Sequence, residues 1–447
     1  MINKSHLSTG GAIFFSMGWN ILQKKTHNEL VHNTARLLFA NIFAQVIGLL
    51  VYPVLTRMYA PDDFGLLNLF MSIGGILSLL ATSEYQNAVL LPSHENEAAG
   101  VARVALCVLL GWLIVITLTI PFSASIAHLL KAPSLSAMYW LLVPYVGLTG
   151  CWAVYNAWLT RRREYGRISA CQLNQSATGV LTKLLFGWLG WLRSGLVLSS
   201  VLSPFIAVSV AVCRSKEAFH GLWQSHDEPI KDIANRYKRF PLYSMPRTLI
   251  NNLSGNLPAL LLTPYFGLNQ LGFFAMAMTL AFRPISMITS SVHQVLFEHV
   301  AQSVRNHESI VPWLRKQWLR AVAFVIPVMA VITVILPWLV NLFLGDGWEK
   351  TAALIRYMMP WMTCVCLVAP LAFISEVFGK QKLFLILEIV YLVLRVAAMG
   401  IGIWVNSFEW AIILMSVAGT VVILAQLVCY IVILKRYELS RLTQAGE

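Results

Sequence analysis

The chain has 447 residues, 57% of them hydrophobic and only 12% charged, with a mean hydropathy of +0.68 and a net charge of +13. Soluble domains carry about 25% charged residues, so this composition excludes a water-soluble globular protein. It fits a bundle of roughly a dozen membrane spans, each needing ~20 apolar residues.

The first apolar stretch, Gly11–Leu22, is short, and Lys24 and Lys25 follow it rather than precede it. It reads as an interfacial lead-in and not as a cleavable signal. Six spans are then predicted near Leu37–Leu55, Phe64–Ala81, Val101–Ile120, Ala137–Leu159, Ser169–Leu189 and Leu196–Val212. A polar stretch from about Arg214 to Phe240 interrupts the pattern. Six more follow near Leu242–Leu262, Leu271–Phe297, Ala321–Phe343, Ala352–Ile374, Leu383–Val405 and Ala411–Ile433. Unpaired backbone cannot cross lipid, so each must be helical. The expected organisation is an N-terminal segment 1–32, a six-helix half 33–213, a linker 214–240, a second six-helix half 241–434 and a tail 435–447. The fold class is an all-α polytopic membrane protein.

The loops set the expected orientation. The termini and even-numbered loops hold 24 Lys and Arg residues, against four (Arg57, Lys131, Arg193 and Lys350) in the odd-numbered loops. By the positive-inside rule both termini are expected in the cytoplasm. Most of the positive charge is this bias, so no nucleic-acid partner is needed to explain it. The seven cysteines are scattered, mostly through apolar runs, with no disulfide framework and no His or Cys spacing suited to zinc. No catalytic set, metal site or cofactor is expected, and no GxxxxGK[ST] phosphate loop is present.

A weak repeat joins the halves. "YAPDDFGLLNLFMS" from Tyr59 and "FGLNQLGFFAMAMT" from Phe266 align Gly65 with Gly272, Asp62 with Asn269 and Asp63 with Gln270, at an offset of 207 residues. Six helices per half give the repeats the same orientation, which puts a pseudo-two-fold axis along the membrane normal. The amides of the second copy cannot act as carboxylates, so Asp62 and Asp63 read as a structural turn and helix cap.

Five basic residues fall within or at the ends of apolar runs: Lys183, Arg247, Arg283, Arg356 and Arg395. At mid-bilayer each costs ~2.5–3.5 kcal/mol against lipid on insertion scales, so they must snorkel or face a wet interior. Polar neighbours at helical spacing favour the interior: Gln172 and Gln175 beside Lys183, Asn251 beside Arg247, and Asn41 and Gln45 on the first span. Arg356 lies near a helix end, where snorkelling is an equal alternative. Glu388, Tyr391 and Arg395 share a face, where an interhelical salt bridge is an alternative to a cavity role. Lys183, Arg247, Arg283 and Arg395 are therefore the expected cationic cavity, with Asn41, Gln45, Gln172, Gln175 and Asn251 as its lining and Glu388 as the candidate for ion coupling. Such a cavity attracts an anion, and arginine matches phosphate oxygens in particular.

The stretch "LTRMYAPDDFGLLNLFMSIGGILSLLA" (Leu55 to Ala81), its second copy and the 6+6 layout resemble the bacterial polysaccharide-export flippases. These are the O-antigen, Wzx-type members of the multidrug/oligosaccharidyl-lipid/polysaccharide exporter (MOP) superfamily. The resemblance implies movement of an undecaprenyl-pyrophosphate-linked oligosaccharide from the cytoplasmic to the periplasmic leaflet of the inner membrane. It also implies work beside a polysaccharide polymerase and chain-length machinery. A lipid II flippase or a drug exporter of the same superfamily is a near alternative. A membrane glycosyltransferase or polymerase is a more distant one, since the predicted external loops are too short to build a catalytic site.

Overall fold

The computed structural model describes residues 48–214, 228–305 and 309–445; the predicted lead-in and Asn41 and Gln45 lie outside them. The described residues are helical throughout their ordered elements, with no strand among them. The end of the first span is α1 (Tyr52–Met58). The first half continues with α2 (Pro61–Thr82), α3 (Glu95–Thr119), α4 (Leu142–Arg161), α5 (Tyr165–Trp188) and α6 (Leu192–Arg214). A short helix, α7 (Ile230–Arg236), occupies the linker. The second half is α8 (Met245–Ala277), α9 (Arg283–Arg305), α10 (Val311–Leu344), α11 (Glu349–Val368), α12 (Gln381–Trp404) and α13 (Phe408–Ala445).

Nine helical segments among the described residues are long and apolar enough to cross a membrane, and three details reconcile them with twelve expected spans. Phe240–Val304 is one continuous helical run that holds two spans. Its break is Gly267, whose φ of 80° is a left-handed conformation that glycine adopts without strain. The second detail is α5, which has membrane length but is diluted by Gln172, Asn174, Gln175, Thr178 and Lys183. Only the end of the first span lies among the described residues. Between α8 and α9 the chain makes a π-helical turn, Met278–Phe282, just before Pro284. Widening the helix there accommodates a ring that a regular turn would reject.

The turn at Asp62-Asp63 lies one step further into the helix than expected. α2 starts at Pro61, so both carboxylates belong to its first turn. Proline suits this position because its missing N–H is one that a helix leaves unpaired. Asp63 then accepts a hydrogen bond from the Ala60 amide at 3.0 Å, and its carboxylate also lies 3.6 Å from Arg193.

This end of α2 is where the two halves cross. A Cβ on Gly65 would collide with the Leu268 carbonyl oxygen, and one on Gly272 would collide with the Pro61 carbonyl oxygen. Pro61 and Leu268 are themselves one repeat apart, so the contact is reciprocal across the pseudo-two-fold axis. Asn269 donates to Asp62 at 2.8 Å, again at a separation of 207 residues. The repeat visible in the sequence is thus a pair of segments packed on each other.

The hydrophobic core records the same asymmetry between the two ends of the molecule. One buried cluster runs through both halves, from Leu55, Phe64 and Leu69 to Leu271, Phe274, Met358 and Met415. At the end rich in Lys and Arg the core divides. One cluster there (Tyr85, Ala102, Trp158, Cys171 and Ile233 among others) belongs to the first half and its linker. Another (Val300, Leu314, Phe373, Phe384 and Tyr430) belongs to the second. The halves are closed at the Gly65 end, here the tight end, and separate at the other, the basic end.

Candidate functional site

The tight end is sealed by more than the glycines. Trp348, 2% exposed, sits between Phe64 and Phe273 with ring centroids 5.5 and 5.8 Å away. Its indole N–H donates to the Thr56 carbonyl at 3.3 Å, and the Thr56 hydroxyl donates to the Leu344 carbonyl at 2.8 Å. The rings are edge-on, an arrangement aromatic pairs prefer. On this side a polar recess of about 650 Å³ lies across the seam, lined by Thr56, Arg57, Asn341 and Asp346. None of the four expected cavity cations borders it.

At the basic end the second half carries polar side chains that membrane lipid would not solvate. On α8, Arg247 and Asn251 fall along one stripe and both are exposed. On α9, Arg283, Ser290 and Gln294 form another exposed stripe, and α9 is the most amphipathic of the long helices. A polar stripe at membrane depth needs water beside it. Both stripes lie at the end where the buried core divides into one cluster per half.

The four expected cations do not form one ring. Counting ~1.5 Å per residue, Arg247 and Arg283 lie roughly 30 and 24 Å from Gly267, while Lys183 lies only roughly 8 Å from the tight end of α5. Lys183 is half-buried within the first half. Near it on α5, a Cβ on Gly179 would meet Ser203 of α6, and one on Gly187 would meet Met58 and Tyr59. The Tyr59 hydroxyl donates to the Lys183 carbonyl at 2.6 Å. Gln175 gives its carbonyl to Ser203 at 2.5 Å, and the Gln172 side-chain oxygen is buried without a partner.

Arg395 differs again. It is 5% exposed and donates to the Ser254 carbonyl on α8 at 2.7 Å, with its guanidinium carbon 5.5 Å from the Tyr391 ring. The interhelical salt bridge weighed for this face is not formed, since neither Arg395 nor Glu388 is among the ion pairs of the described residues. Glu388 is instead hydrogen-bonded to Gln426 of α13. Arg356, exposed near the tight end of α11, donates to the Thr333 carbonyl of α10 at 3.2 Å. Arg247 and Arg283 are therefore the two intramembrane cations on exposed polar stripes.

The linker is anchored to the first half. Arg236 of α7 pairs with Glu97 at 2.6 Å and with Glu228 at 3.0 Å, and the Tyr237 hydroxyl donates to Glu97 at 3.0 Å. These hydrogen bonds hold the guanidinium above its ordinary value, while burial and then Glu97 push the Tyr237 phenol up.

Residues 54–353 match the family model described as polysaccharide biosynthesis protein. The chain belongs to the polysaccharide biosynthesis protein family. Among curated proteins it is similar to the succinoglycan biosynthesis transport protein ExoT of Rhizobium meliloti (strain 1021). The two are 21% identical over 300 residues, which is 66% of this chain and about half, 54%, of that relative. Two solved structures share the fold of this family member. One is an inward-facing multidrug resistance MATE transporter of the MOP superfamily (16% identical, TM-score 0.67, covering 94% of this chain and 98% of that one). The other is the lipid II flippase MurJ in an inward closed conformation (12% identical, TM-score 0.72, covering 91% and 90%). The architecture is that of twelve-helix transporters with two-fold related halves.

The crossing at the tight end was only partly legible in the sequence. The offset of 207 marked Gly65 and Gly272 as equivalent, and a small residue at both is the signal that they can touch. Trp348 lies outside the repeat, and no spacing pointed to it.

Proposed function

We propose that the protein is a flippase that moves an undecaprenyl-pyrophosphate-linked oligosaccharide from the cytoplasmic to the periplasmic leaflet of the bacterial inner membrane. The observation that carries the reading is that Arg247 and Arg283 stand on exposed polar stripes at the basic end, where the core divides, and the proposed cleft lies between the halves there. The 24-to-4 bias of basic residues makes that end cytoplasmic, the side on which a lipid-linked glycan is assembled. Family membership and the likeness to a succinoglycan transport protein support the same cargo class.

In this reading the pyrophosphate sits against Arg247 and Arg283, whose planar forks match its oxygens. Asn251 and Gln175 supply amides toward the glycan, whereas the buried oxygen of Gln172 takes that residue out of the expected lining. The lipid tail stays in the bilayer. Rocking of one half on the other then closes the basic end and parts the Gly65 crossing. A polymerase and chain-length machinery would take the product. Glu388 is the carboxylate proposed to answer a proton gradient, and Glu388→Gln should remove the gradient dependence of transport without abolishing binding.

A lipid II flippase is the second reading, favoured by the likeness to MurJ. Analysis of the lipid-linked intermediates that accumulate in a deletion strain separates the two. In the same strain, Arg247→Ala with Arg283→Ala should leave surface polysaccharide absent at normal protein level. Normal polymer from that double variant would sink the cargo assignment.

A further inference from the structure

An α-helix pairs each N–H with the carbonyl four residues back. Proline has no N–H, so a proline inside a helix leaves that carbonyl without its partner. In lipid no water is available to replace it. Two of the intramembrane arginines donate to such carbonyls. Pro258 lies inside α8, and the carbonyl it leaves free is that of Ser254, the acceptor of Arg395 at 2.7 Å. Pro337 lies inside α10, and the carbonyl it leaves free is that of Thr333, the acceptor of Arg356 at 3.2 Å. The two cases share no residue and no helix.

We propose that Arg395 and Arg356 are positioning residues, each supplying from a neighbouring helix the hydrogen bond that a proline removes. Arg395 pins α12 to α8, and Arg356 pins α11 to α10. This replaces the cargo-binding role expected for Arg395 from sequence. Its surroundings agree, because the group is 5% exposed, rests on the Tyr391 ring and has no carboxylate partner, Glu388 being engaged by Gln426. The consequence for the cleft follows from the stripe on α8. Arg247 and Asn251 are exposed along it, and at Ser254 the same stripe is covered by the incoming guanidinium. Arg395 therefore fixes where the open part of α8 stops.

The test is a pair of rescue cycles on the purified full chain, read by thermal unfolding in detergent and by flipping in proteoliposomes. Arg395→Met should lower flipping about tenfold and lower the unfolding midpoint, as loss of a buried charge-assisted hydrogen bond does. Pro258→Ala restores the amide, so the double variant should return to within about threefold of Pro258→Ala alone, a large non-additivity of the kind expected for directly coupled sites. Pro337→Ala should rescue Arg356→Met in the same way. Arg395→Lys, which can still donate, should fall between. If Arg395→Met does not fold, recovery of a monodisperse protein by Pro258→Ala decides the matter. A double variant as impaired as Arg395→Met would overturn the proposal, and that result is what a cargo ligand would give. The unfolding midpoint reads the pin even if the flippase reading fails.

Discussion

Gly65 and Gly272 leave less room for a Cβ than any other glycine among the described residues. Each faces a backbone carbonyl of the other half, which cannot rotate away as a side chain can. Gly65→Ala or Gly272→Ala should therefore disturb the crossing by about 1–3 kcal/mol, the usual cost of overpacking. The expected readout is a lower unfolding midpoint, with Gly75→Ala, where a Cβ meets open space, as the unaffected control. Asp62→Asn should be tolerated, because an amide oxygen can still accept from Asn269. Loss of transport in Asp62→Asn would revive a carboxylate role for that turn. At this scale the sequence was legible where residues are related by the repeat and silent where they are not. Arg395 and Ser254 are 141 residues apart with no periodic relation, so their pairing was out of reach. The one usable signal was a proline within a span, which announces an unpaired carbonyl but not its donor.

Among the elements, α9 offers the sharpest prediction. Its exposed stripe of Arg283, Ser290 and Gln294 faces the cleft in this account, whereas exposed Ile288 and Val295 lie off that stripe. In a cysteine-free background, cysteines at 290 and 294 should react with a membrane-impermeant thiol reagent from the cytoplasmic side. Those at 288 and 295 should not. Equal reaction of all four would contradict the placement of the cleft. The linker helix α7 makes a weaker demand. Its Arg236–Glu97 pair is exposed and screened by water, so Glu97→Gln should change the unfolding midpoint little. Ile233→Asp, which puts a charge into the buried cluster of the first half, should release the helix and raise its protease sensitivity. Long apolar runs made most elements legible. The fused run through Gly267 was not legible as one helix, because a single left-handed glycine turns the chain while adjoining turns stay helical.

The whole molecule is closed at one end by paired glycines, an Asp62–Asn269 hydrogen bond and the Trp348 wedge, and its core is divided at the other. In the proposed transport cycle the tight end must break to release cargo on the far side. Cysteines at Asp62 and Asn269 joined by a short cleavable cross-linker should stop transport and leave Asn251→Cys open to reagent from the cytoplasm. Cleavage should restore it. The layout was legible from hydropathy, charge bias and the repeat. Which end was closed was not, because apolar runs look alike in either conformation. The central claim is movement of a lipid-linked glycan through the cleft, and flipping by the purified protein measures it most directly. Proteoliposomes loaded with an undecaprenyl-pyrophosphate oligosaccharide are tested for glycan newly exposed to an external glycosidase. The account predicts exposure with the wild-type chain and none above protein-free vesicles with Arg247→Ala plus Arg283→Ala. Equal exposure from both would contradict it.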